Sequence, residues 1–190
     1  MVRSVGELRG RIALAAQGKV TNTANIMFGC DLVPSDTQPI IISTNTQIDL
    51  NGFTCYVPMV INTGVEVEIL NGKLSAVISG AGVANFASVA FTLTTPITGT
   101  LAGWNFTDAA FVTGTALPNM IECRLQGETT SVSDVLSAGT LVGCTVNLIG
   151  SFDCVSAVDC MVTLVGDWIP APVGGTGCNI FARNYTSTST

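Results

Sequence analysis

The chain contains no histidine, and only 11% of its residues are charged. Without an imidazole, Ser-His-Asp and Cys-His catalysis in their usual forms are excluded, and cysteine and carboxylate remain as the ready metal ligands. No Cys-x-x-Cys pair occurs, and Cys154 and Cys160 stand six residues apart, so neither a zinc site nor any cofactor is expected. Long apolar runs are also missing. The charge-free stretch between Lys73 and Asp108 is interrupted by Gly, Ser, Thr, Asn and Pro and never reaches eighteen apolar residues, so it reads as strands and turns. No membrane partner is expected. The opening MVRSVGELRGRIALAAQG offers only IALAA where a secretory leader needs a longer apolar region, and the chain is read as unexported.

What is present is apolar. Hydrophobic residues make up 47% of the 190 positions and mean hydropathy is +0.54. That length suits one domain with appendages, and so little charge implies that much of the surface is covered by something. Seven cysteines, an odd number, fit free thiols in a reducing compartment rather than a disulfide framework.

The few charges are unevenly placed. Residues 1 to 20 carry Arg3, Arg9, Arg11 and Lys19 against Glu7, a net of +3, whereas residues 21 to 190 carry three basic and twelve acidic residues, a net of −9. SVGELRGRIALAAQ predicts a brief amphipathic helix or an extended arm anchored by Leu8, Ile12 and Leu14. Its charge suits docking onto an acidic partner. A body of net −9 is a poor nucleic-acid binder, and none is expected.

After residue 20 no helical period is sustained. Val, Ile, Thr and Phe fill short runs that Gly and Asn punctuate. TQIDLNGFT at residues 46 to 54 and VEVEILNGK at residues 65 to 73 repeat one pattern about a coil apart. Taking Ile48 and Leu50 as inward, the next pairs are Val67 and Ile69, Val89 and Phe91, Trp104 and Phe106, Cys123 and Leu125, Cys144 and Val146, and Cys160 and Val162. Their first members are 19, 22, 15, 19, 21 and 16 residues apart. Such irregular spacing suits a parallel β-helix, whose inward side chains stack in ladders while loops outside vary in length. The Asn-Gly pairs at 51–52 and 71–72 are read as sharp turns, which leaves an antiparallel sandwich or barrel as the competing architecture. The expected layout is an arm and lower cap over 1–45, a β-helix of about seven short coils over 46–167, and a C-terminal cap with a loose Ser/Thr tail over 168–190. Trp168, Ile169, Phe181 and Tyr185 would supply the apolar cover of that cap.

The stretch IIISTNTQIDLNGFTCYVPMVINTGVEVEILNGKLS resembles the opening coils of the pectate-lyase-like right-handed parallel β-helix superfamily, which includes many bacteriophage tailspikes and other virion proteins. The resemblance implies an all-β single-stranded right-handed β-helix and, from the habit of its phage members, a homotrimer. It specifies fold far better than activity.

Enzymes of that superfamily use clustered carboxylates or calcium with basic groups. Here Asp108, Glu122, Glu128, Asp134, Asp153 and Asp159 are scattered singly along the sequence. Glu66 and Glu68 flank inward Val67 and read as a solvated strand face. Cys123, Cys144 and Cys160 read as packing residues of an interior ladder. No catalytic residue is assigned. The expected function is that of a non-enzymatic virion protein, made in the host cytoplasm. It would be a knob-like trimeric decoration or cement protein on a tailed-phage capsid, fastened to the major capsid protein shell by its N-terminal arm. The alternatives are a small tailspike or fibre domain that binds or cleaves a host glycan at its distal tip, and a surface adhesin or antifreeze-like solenoid.

Overall fold

The computed structural model describes residues 1–17, 24–170 and 176–183. Nine strands stack in chain order into one long parallel wall: Ala24–Met27, Thr46–Asp49, Glu66–Leu74, Val83–Phe91, Asn105–Phe111, Arg124–Thr129, Thr145–Ile149, Met161–Leu164 and Asn179–Phe181. Each of the first eight opens one coil, numbered 1 to 8 below. The chain returns through a second wall, built from Ile40–Ile42, Met59–Ile61 and Ile78–Gly80 in the lower coils. Higher up, that wall continues in Leu101–Ala102, Met120–Ile121, Val135–Val142, Ser151–Val158 and Trp168–Pro170. The ladders in both walls are parallel throughout. Parallel pairing between residues about twenty positions apart is what a coil produces and a hairpin cannot. The molecule is therefore a parallel β-solenoid of about eight coils with one short helix, and the antiparallel sandwich is excluded.

The inward ladder is continuous but differs in register from the one predicted. All fourteen residues expected in the core are buried. Ile48, however, sits beside Ile69 and not beside Val67, which pairs with Thr46. Alternation has a period of two, so a slip of two residues leaves every side chain on its proper face, and patterning alone cannot detect it. Val89 and Phe91 belong to a different column, stacked on Gly72 and Leu74, whereas Ala84 and Phe86 continue the ladder. The true column runs Ile26, Ile48, Ile69, Phe86, Phe106, Leu125, Val146, Val162 and Ile180. Trp104 with Phe106, Cys123 with Leu125, Cys144 with Val146 and Cys160 with Val162 stand in the expected register.

Two corners explain how long strands turn. In coils 2 to 5 the main strand bends at Asn51, Asn71, Ser88 and Asp108, each in the left-handed region with φ of 51–55°. Asn and Asp adopt this conformation at low cost because their short polar side chains bond locally. Asn51 and Gly52 form a turn with both φ positive, but Asn71 bends a strand that continues to Leu74. At Gly72 the reason for glycine is space, since a Cβ would lie 2.6 Å from the Phe53 carbonyl oxygen. The second corner precedes the main strand, at Gly103, Glu122, Gly143, Asp159 and Gly177, all with positive φ.

Pairing extends beyond residues 46–167 at both ends. Ala24–Met27 forms the lowest rung, and Trp168–Pro170 and Asn179–Phe181 belong to the walls. Trp168 is buried against Phe152, with ring centroids 5.9 Å apart and planes at 11°. Ile169 and Phe181 point outward, and Tyr185 and the Ser/Thr tail lie outside the described residues. At the lower end the basic segment folds over the stack as a helix, Val5–Ala16. Ser4 is its N-cap, its hydroxyl accepting from the Glu7 N–H at 3.2 Å. Val5, Leu8 and Ile12 recur at three and four residues and are buried in the same core as Ile26 and Phe28. Leu14, two residues past Ile12, falls on the opposite side and is 45% exposed, outside the core.

Candidate functional site

The side chains expected to dock the chain divide into three groups. Arg9 is engaged internally: its guanidinium makes a bidentate pair with Asp36 at 2.7 and 2.8 Å and donates to the Gln38 carbonyl at 2.6 Å. That contact, together with the Gln38 N–H, holds the Asp36 carboxyl down at about 2. Arg3 and Arg11 are exposed at the lower end. Lys19 lies outside the described residues. Val2 closes the end by bridging to Phe28, donating to the Met27 carbonyl at 2.7 Å and accepting from the Gly29 N–H at 2.9 Å. The described part of this segment packs Val2, Val5, Leu8 and Ile12 into the core and leaves Arg3 and Arg11 exposed.

The outer surface of the main wall changes character along the axis. In the lower coils it is a ladder of polar side chains that satisfy one another. Gln47 Nε2 donates to Glu68 Oε2 at 2.5 Å, Asn85 Nδ2 to Glu66 Oε1 at 2.6 Å, and Asn105 Nδ2 to Asn85 Oδ1 at 2.8 Å. In the upper coils the same outward column continues as Arg124, Thr145 and Met161. On the second wall, Ile121 and Val142 stack outward, with Val155 and Ile169 elsewhere on it, all four at least 38% exposed. Scattered exposed aliphatics need no explanation, but stacked ones on consecutive coils form a surface.

Between the two halves of the bent main wall runs a shallow axial groove. Its upper part has a volume of about 260 Å³ and is lined by Asp108, Gln126, Glu128, Asn147, Ile149 and Val165, among others. It continues downward past Ala110, Ala90 and Lys73. Asp108 and Glu128 lie twenty residues apart in sequence but both line this groove. The ladder between coils 5 and 6 pairs Phe106 with Leu125 and then Ala109 with Gly127, so one extra residue bulges out at the Asp108 bend. A bulge of this kind has no hydropathy signal, and the two carboxylates look unrelated in the sequence. The left-handed residue is the one trace it leaves. Ser88 Oγ donates weakly to Asp108 Oδ2 at 3.4 Å, and the groove offers carboxylate and amide oxygens over a floor of Gly and Ala.

Inside the upper coils, Cys123, Cys144, Cys160 and Cys178 stand in line after Trp104, each immediately before its strand. The Cys144 and Cys160 amides donate to the sulfurs of Cys160 and Cys178 at 3.4 and 3.3 Å. Hydrogen bonding with Cys144 and then burial push the Cys160 thiol up, and burial followed by nearby Asp153 pushes Cys154 up to about 12. Cys123 is drawn down to about 7, first by the Cys144 thiol, but it is buried away from any reactant. Among the described residues no group of three or more metal-binding side chains converges. No helix there is long and apolar enough to cross a membrane. Comparison with known proteins finds no matching family model, no matching curated protein and no matching solved structure.

Proposed function

We propose that the chain is a non-enzymatic structural protein of a virion: a knob-like homotrimeric decoration protein whose capped end sits on the shell of major capsid protein. The observation that carries this reading is the stack of outward apolar side chains on consecutive upper coils, Ile121 and Val142 foremost, beside a body with very little charge. Such surfaces favour association with copies of the same chain. The resemblance of the opening coils to phage β-helices supports the trimer. Right-handed winding is the form that parallel crossovers adopt in nearly all cases. Exposed Arg3 and Arg11 supply the contact to an acidic shell, and a trimer that bridges several subunits stabilises the assembled state by mass action.

Removing residues 1 to 20 would take Val2, Val5, Leu8 and Ile12 out of the core, so the docking claim is tested with point changes. The double variant Arg3→Ala, Arg11→Ala should keep its fold and lose cosedimentation with capsid shells of the virus that encodes it. Undiminished binding contradicts shell docking through this end.

The axial groove favours a second reading, that of a small tailspike or fibre domain that binds a glycan. Asp108, Glu128, Gln126 and Asn147 present acceptors and donors at coil spacing along an open channel. Incubation with host surface polysaccharide, followed by a reducing-sugar assay on wild type and on Asp108→Asn, Glu128→Gln, separates the readings. Product release that disappears in the variant supports a glycan-cleaving domain, and no release supports the structural protein.

A further inference from the structure

We propose that the corner ridge of the upper coils is a self-association surface whose occupant is a second copy of this chain. The proposal rests on the oligomeric reading above and gives it a location. On one flank of the ridge, Ile121 pairs with Val142 and Val142 with Val158, and the first two are 40% and 38% exposed. The crest is Glu122, Gly143 and Asp159. The other flank is Arg124, Thr145 and Met161, the last 51% exposed.

Among the described residues the charged side chains on this ridge have no partners of their own. The ion pairs seen among the described residues are Arg9 with Asp36 and Arg183 with Asp167, whereas the side chains of Arg124, Glu122 and Asp159 make neither a hydrogen bond nor an ion pair there. Glu122 is also held at φ 52°, where the coils below and above place Gly103 and Gly143. A long side chain in the left-handed region carries a steric cost that glycine avoids. The neighbouring coils show that the corner closes without a carboxylate, so strain is tolerated at an exposed charge that the fold does not need.

Charge complementarity identifies the occupant. Arg124 lies only two residues beyond Glu122, on the flank beside the crest, so both signs sit at nearly one height along the axis. When two copies stand side by side with axes parallel, the arginine flank of one faces the crest carboxylates and the apolar flank of the next. Ile121 and Val142 then cover Met161 and Thr145. A partner of one sign would leave half of the ridge mismatched, whereas a copy of the chain supplies both halves. Repetition of this heterologous contact closes a ring when the rotation permits.

Sedimentation equilibrium on four proteins tests the proposal: wild type, Arg124→Glu, the swap Glu122→Arg with Arg124→Glu, and Val142→Asp, with circular dichroism to verify folding. Arg124→Glu should weaken association by about tenfold or more, the swap should bring it back to near wild type, and folded Val142→Asp should be monomeric. If wild type assembles and Arg124→Glu or Val142→Asp assembles equally well, the ridge is not the interface while the oligomeric reading stands. Failure of the swap to restore what Arg124→Glu loses overturns the pairing of Arg124 with Glu122. A monomeric wild type overturns both readings.

Discussion

Coils 4 and 5 and coils 6 to 8 share one backbone path but fill it differently. In the lower pair the interior is aromatic. Phe86 lies on Phe106 with ring centroids 5.1 Å apart and planes at 19°, and Phe91 on Phe111 at 5.2 Å and 5°. Trp104 closes the group by donating its indole N–H to the Gly82 carbonyl at 2.9 Å. In the upper coils the same columns hold Leu125, Val146 and Val162 beside three stacked thiols, and the stacked rings there, Phe152 on Trp168, belong to the second wall. The outer surface changes in step, from a polar ladder that satisfies itself to exposed aliphatics and an Arg124 that has no ion pair among the described residues. The difference teaches that one stack of parallel coils closes equally well over aromatic rings and over aliphatic side chains with thiols, since both interiors are buried.

The largest test of this contrast is truncation of one interior side chain in each region. Phe106→Ala removes a ring that packs against Phe86, Phe91, Trp104 and Phe111, and should cost about 3–5 kcal/mol in denaturant unfolding. A loss near 1 kcal/mol would mean that the stack is not the main source of stability.

At the boundary between the regions, Gly127→Ala places a Cβ against the Ala109 carbonyl and 3.2 Å from Phe111 Cε2. Overpacking against backbone should cost about 1–3 kcal/mol, read in the same assay. A smaller effect would show that coil 6 shifts readily upon coil 5.

Cys144→Ala removes one atom from the thiol column and should cost only about 1 kcal/mol. A loss as large as that of Phe106→Ala would erase the distinction between the two interiors.

The smallest effect belongs to the lower cap. Asp36 titrates at about 2 in the folded chain against 3.8 unperturbed, because Arg9 and then the Gln38 N–H favour its charged form. A depressed carboxyl contributes stability above its unfolded value and loses it as pH falls through the folded one, so the window is pH 3.8 to about 2. The pair is exposed and the change should be small. Wild type should lose its advantage over Asp36→Asn across that window in paired unfolding curves, and a constant difference would contradict the linkage.

Much of the fold was legible in the sequence, for identifiable reasons. Alternation marked which side chains face inward, and the near-repeat of IDLNG and EILNG marked coil length, so parallel stacking followed. Exact register did not follow, because Ile48 over Val67 and Ile48 over Ile69 bury the same set of residues. The bend inside Val83–Phe91 hid a second inward column, since Ser88 carries no turn signature. The groove was least visible. Asp108 and Glu128 come to line one groove beside a one-residue bulge, the ridge forms at a corner where Glu122 replaces glycine, and neither leaves a pattern in hydropathy. The seat of Leu8 and Ile12 in the core was readable from their spacing, but not that they cap the solenoid.

The central claim is that the apolar, weakly charged upper surface is covered by copies of the same chain. Sedimentation equilibrium of the purified full-length protein tests it most directly. A single species at three times the 19.6 kDa chain mass is the expected result. A stable monomer at the same concentrations, with Ile121 and Val142 left open to water, would contradict it.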